Sequence, residues 1–107
     1  MNLKEVEEKA QKLNREMSAY DFASNTYVKV TTDEGAEFLY PSAFFLKQGD
    51  WFVVFAEHHD PKVFHSGDIE ALYSYEVKHY RTDVKEMDDF KPVDWKKKKK
   101  KKSKGAK

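Results

Sequence analysis

Cysteine is absent from this chain of 107 residues, which excludes disulfides and every Cys-ligated zinc or iron–sulfur site. That composition suits a reducing compartment. Glycine is scarce: Gly35, Gly49 and Gly67 stand singly between extended runs, so no Gly-rich loop could cradle a phosphate. There is no G-x-S-x-G, no H-E-x-x-H and no pair of carboxylates set apart from the rest, and the chain reads as no enzyme. No cofactor is implied. The longest apolar run, Trp51–Ala56, is far shorter than the ~20 residues a membrane-spanning helix needs. The start, Met1-Asn2-Leu3-Lys4-Glu5, lacks the basic and apolar regions of a signal peptide. These absences predict a soluble, intracellular, cytoplasmic protein, nuclear if its source has a nucleus.

Acidic residues are missing from one end. All 19 lie in residues 1–95, whereas Lys96, Lys97, Lys98, Lys99, Lys100, Lys101, Lys102, Lys104 and Lys107 supply nine of the 20 basic ones. Eleven basic residues remain before the run, so the body carries about −8 and the tail about +9, and the formal net charge of +1 conceals a strong dipole. A run of like charge cannot bury anything and is expected to be disordered. It is also the chain's candidate nucleic-acid-binding element. Each lysine that neutralises a phosphate releases a counterion, which gives salt-sensitive binding without sequence preference. RNA is the leading partner. The same run suits a basic nuclear-localisation signal or attraction to anionic lipid. The blander readings are a solvated end, an arm folded onto the body's own acids, or an appended sequence. The dipole also favours head-to-tail association into a homo-oligomer.

The body is rich in aromatic residues, with eight Phe, six Tyr and two Trp. Each buried ring removes ~150–250 Å² from water, so the aromatic segment Phe38–Phe64 is where the core is expected. Phe44, Phe45, Trp51, Phe52, Phe55 and Phe64 could stack on bases, but so small a domain needs them inside, and core packing is the favoured reading.

Leu3, Val6, Ala10, Leu13 and Met17 fall on one face of a helix over residues 2–17, with Asn2 and Glu5 as a capping box. Tyr27–Thr32 alternates as a strand and Asp33-Glu34-Gly35 turns it. Ala36–Lys47 is a second extended run, in which Pro41 marks an edge, a bulge or a bend. Trp51–Glu57 is apolar on both faces, as a central strand would be. Asp60-Pro61-Lys62-Val63 suits a type I turn, and Val63–His65 then continues as a strand. Ile69–Tyr80 fits either helix or strand, with the aromatics favouring a turn followed by a strand.

The predicted fold is mostly β (α+β). An N-terminal helix precedes a small five-stranded antiparallel bent sheet or barrel in residues 1–80. Residues 81–95 form a charged, loosely held segment, and residues 96–107 form the lysine tail.

The type I turn would set His58 beside His65 across a hairpin. Adjacent imidazoles could share a metal with Asp60 or Glu57, or repel on protonation, but a metal needs three or four ligands and only a pair is visible. The favoured reading is ordinary surface histidines.

Two stretches resemble the Sm-like family, which includes the bacterial RNA chaperone Hfq. One is the strand–Asp-x-Gly–strand unit at Tyr27–Phe38, and the other is Val63-Phe64-His65 followed by Ile69 and Leu72. Here Phe64 meets His65 directly, where the Hfq pattern places a lysine between aromatic and histidine. The resemblance implies a bent five-stranded barrel, RNA binding and a ring-shaped oligomer. SH3-like and OB-like barrels fit the element count as well. The contrasting function is a protein-interaction or inhibitor module, in which the acidic and aromatic body binds a protein partner and the tail is incidental.

Overall fold

The structure is a computed structural model, and it describes residues 2–93. It is an α+β protein with one principal helix and two antiparallel sheets, one of four strands and one of three. Helix α1 (Leu3–Glu16) begins as its cap residues dictate. The Asn2 Oδ1 accepts from the Glu5 N–H at 2.9 Å, and the Glu5 carboxylate accepts from the Asn2 N–H at 3.2 Å. Val6 and Ala10 of the expected stripe are fully buried, Leu13 and Met17 pack beside them, and Leu3 stays exposed in the first turn. A single-turn helix, α2 (Ala19–Phe22), follows and inserts Phe22 under the same face.

The strands are β1 (Tyr27–Thr32), β2 (Glu37–Pro41), β3 (Ala43–Gln48), β4 (Trp51–Ala56), β5 (Lys62–His65), β6 (Ile69–Ser74) and β7 (Val77–His79). Sheet order is β2-β1-β6-β7 in one sheet and β3-β4-β5 in the other. Seven strands replace the expected five for two local reasons.

The extended run 36–47 is divided at Pro41 and Ser42. Proline cannot donate to a ladder, and Ser42 adopts a left-handed φ of 50° that swings the chain from one sheet to the other. Its N–H donates to the Thr26 carbonyl at 2.6 Å, and its carbonyl accepts from the Glu57 N–H at 2.9 Å, so both sheets hold the bend. The segment 69–80 is a hairpin, not one strand. Tyr75 and Glu76 both take positive φ (53° and 67°), as a two-residue turn requires, without the usual Asn or Gly. Among the described residues the two sheets do not join into a closed barrel.

Strand β4 shows why its sequence is apolar on both faces. Phe52, Val54 and Ala56 point between the sheets, where they meet Val28, Val30, Ile69 and Leu72. Val53 and Phe55 point the other way and meet Val6, Ala10, Phe22 and Met87. The molecule is therefore three layers, sheet on sheet with helices outside, and β4 is buried in the middle of them. Both core clusters draw on the aromatic segment.

Residues 81–93, expected to be loosely held, form a strap. Lys47 donates its N–H to the Lys85 carbonyl at 2.9 Å, covering the free edge of β3. Val84 enters the cluster between the sheets and Met87 the cluster under the helix. Phe90 stacks on Phe44 with ring centroids 5.2 Å apart, and the Lys9 ammonium pairs with Asp88. A few well-spaced apolar side chains suffice to fix a segment that is otherwise charged.

Candidate nucleic-acid interface

The lysines from Lys96 to Lys102, with Lys104 and Lys107, lie outside the described residues, as does the expectation that they are disordered. The last described residue, Val93, donates its N–H to the Asp21 carboxylate at 2.8 Å, so the chain is anchored beside α2 up to that point.

The histidine pair does not form. The reversal after β4 is made by Ala56–His59, where the His59 N–H donates to the Ala56 carbonyl at 3.1 Å and His58 takes φ 67°. Asp60 and Pro61 lie between that reversal and β5, outside the turn. The register therefore opposes His65 to Trp51, whose ring it meets edge-on at 4.9 Å. His58, with its side chain 87% exposed, has Glu57 4.0 Å away. Among the described residues no three His, Cys, Asp or Glu side chains gather as a metal would require. His58 and His59 instead border an open depression of about 620 Å³ between the α1–α2 link and the β4–β5 turn, with Ser18, Glu57 and Asp60 also on its wall.

His65 has a structural task. Its Nδ1 accepts from the Gly67 N–H at 3.0 Å and so caps the 3₁₀ turn Ser66–Asp68 that leads into β6. A Cβ on Gly67 would lie 3.0 Å from that same Nδ1. Gly67→Ala is expected to push the imidazole away and cost about 1 kcal/mol, the worth of a lost cap. In a His65→Ala background the same change should cost little, because the ring is already gone. Urea midpoints of the four chains check this, and equal costs in both backgrounds would contradict it.

The candidate stacking aromatics are structural. Phe52 and Phe55 are buried, and Phe44 links Phe22, Phe55 and Phe90 in one ring cluster at centroid distances of 5.2–5.6 Å. Phe64 is covered by Phe38 and Tyr40. Burial beside this cluster raises the Tyr40 hydroxyl above its ordinary pKa of 10.0. The folded state thus disfavours the phenolate. Tyr40's contribution is complete below pH ~10 and is lost as pH rises through the raised folded value. Tyr40→Phe is expected to flatten the fall in stability above pH ~10, and identical alkaline profiles for the two chains would contradict this.

Two features escaped the sequence reading. The Ser74 hydroxyl lies 2.6 Å from His79 Nε2, and the His79 ring meets Phe45 edge-on at 5.1 Å. This contact ties edge strand β7 to β6.

The second feature is the outer face of the four-stranded sheet. Because Val28, Val30 and Leu72 point inward, Tyr27, Lys29, Thr31 and Tyr73 point out. The register sets Leu39, Lys29, Tyr73 and Lys78 in one row across all four strands. The Lys29 ammonium sits 4.6 Å from the centre of the Tyr73 ring, and Lys78 sits 5.8 Å from that of Tyr80. The alternation in Tyr27-Val28-Lys29-Val30 was the signal that could have revealed this face.

Comparison with known proteins gives no bearing on these features: no protein-family model, curated protein or solved structure matches the chain. No described helix is long and apolar enough to cross a membrane.

Proposed function

We propose that this protein is a non-enzymatic nucleic-acid-associating protein, with RNA as its principal partner, held through the lysines of residues 96–107. The observation that carries the reading is the separation of charge: nine lysines in the last twelve residues against a body with all 19 acidic residues. Counterion release from phosphates favours contact with the tail, and the acidic body repels the same polyanion. Binding is therefore oriented, with the tail on the nucleic acid and most of the body held away. The same dipole supports head-to-tail self-association at low salt.

The finer fold reading, an Sm-like or SH3-like barrel, belongs to this proposal. It is supported by the leading helix, by the run β2–β3 that bends from one sheet into the other, and by β6 returning to pair with β1. An intracellular, cytoplasmic location goes with it, and the lysine run also suits nuclear import where there is a nucleus.

The test is binding of the full chain to mixed cellular RNA and DNA at low and moderate salt. Binding that weakens steeply with salt supports the reading. Absence of binding at low salt, or binding indifferent to salt, overturns it.

A further inference from the structure

We infer that the outer face of the four-stranded sheet is a stacking surface for the unpaired bases of single-stranded nucleic acid. This inference rests on the nucleic-acid reading above and names the strand class that the body, as distinct from the tail, would select.

The solvent side of an antiparallel sheet is ordinarily polar. This one carries Tyr27 and Tyr73 on its two central strands, both half-buried, with Leu39 on one edge strand and Tyr80 just past the other. Leu39 and Tyr80 are each 65% exposed, the highest values among the exposed large apolar residues described.

The central row of this face runs against the charge of the rest of the body. Its cations are Lys29 and Lys78, with Glu70 of β6 exposed in the same depression as Lys78 and Tyr80. The other nearby carboxylates stand at the margins: Glu37 at a corner, Asp33 and Glu34 in the β1–β2 turn, and Glu76 in the β6–β7 turn. An acidic body thus presents one row, Leu39, Lys29, Tyr73 and Lys78, that is cationic and aromatic.

Two of the three tyrosines there have a lysine against them, through the pairs Lys29–Tyr73 and Lys78–Tyr80. A ring that offers a flat π-surface beside an ammonium matches a nucleotide, which offers a flat base beside a phosphate. Four strands about 4.8 Å apart make a face about 15 Å wide, room for two or three bases. A duplex offers these rings little, because its bases are already stacked on one another. A polyanion without bases gains nothing from the rings. The surface therefore discriminates where the lysine tail does not.

The experiment uses the full chain and three probes of matched charge: a mixed-sequence single-stranded RNA, a duplex of the same sequence, and inorganic polyphosphate. The wild-type chain is expected to bind the single strand at least tenfold more tightly than the other two. Tyr80→Ser and Tyr73→Leu are each expected to weaken single-strand binding about tenfold and to leave polyphosphate binding unchanged. Thermal melting verifies the fold. Tyr80 is exposed enough that its variant remains decisive if Tyr73→Leu unfolds. Variants that bind all three probes like wild type overturn this inference while leaving the tail reading intact. Preference of the wild-type chain for the duplex also overturns it. Failure of the wild-type chain to bind any probe overturns both.

Discussion

A chain ending at Trp95 is expected to lose nearly all of its salt-sensitive affinity for nucleic acid. The deletion removes nine of the 20 basic residues and none of the 19 acidic ones, so the remaining chain carries about −8. For a protein making 6–10 phosphate contacts, affinity falls by about 10³–10⁵ between 50 and 200 mM salt. The tail can supply contacts in that number and the body cannot. The truncated chain should therefore bind a duplex so weakly that no salt dependence is measurable. The fold should not suffer, because the last residue seen to pack, Val93, is retained with its bond to Asp21. Equal thermal melting of the two chains with unequal binding is the expected pair of results. Unchanged duplex binding by the truncated chain would contradict the account.

Phe55→Ala is expected to remove most of the protein's stability and to bring its urea midpoint close to zero. Phe55 is fully buried near the end of β4, and its ring stacks on Phe44 at 5.6 Å. Through Phe44 it supports both Phe22 of α2 and Phe90 of the strap, so its loss loosens three elements at once. Truncating a buried Phe costs about 3–5 kcal/mol. A domain of this size has about 5–14 kcal/mol in total, and a small core places it towards the lower end. Tyr80→Ser, at an exposed site, should shift stability by no more than about 0.5 kcal/mol and serves as the comparison. Urea titration followed by tryptophan fluorescence reads both. A Phe55→Ala midpoint close to wild type would show that the helix-side cluster is not what holds the layers together.

Some of this architecture was legible in the residues, and the reasons are local. The helix could be read because Asn2 and Glu5 announce its start and Val6 and Ala10 repeat on one face. Strand β4 could be read because only a strand covered on both sides is apolar at six successive positions, Trp51 to Ala56. The bend at Pro41 followed from its missing N–H.

What could not be read was set by tertiary context. Tyr75 and Glu76 make a hairpin turn without the glycine or asparagine that would mark one. Pro61 is good turn chemistry, yet the chain had already reversed at His58, and that displaced the register of β5 by enough to separate His58 from His65. The strap 81–93 looked too charged to pack. The positions of Val84, Met87 and Phe90 matter because of the grooves they meet, and those grooves exist only in the folded protein.

The candidate site divides in the same way. The lysine run is plain in the sequence and lies beyond the described residues. The outer sheet face needs the pairing register before Leu39, Lys29, Tyr73 and Lys78 become one row.

The central claim is that the lysine tail grips the phosphate backbone. The measurement that tests it most directly is the slope of log affinity against log salt for a single-stranded RNA, in the full chain and in the chain ending at Trp95. With nine lysines available in the tail, the full chain should give a slope of about −6 or steeper, and the truncated chain, left with Lys29 and Lys78 on its sheet face, a slope no steeper than about −1.4. Equal slopes for the two chains would contradict the claim and would move the phosphate contacts onto the body.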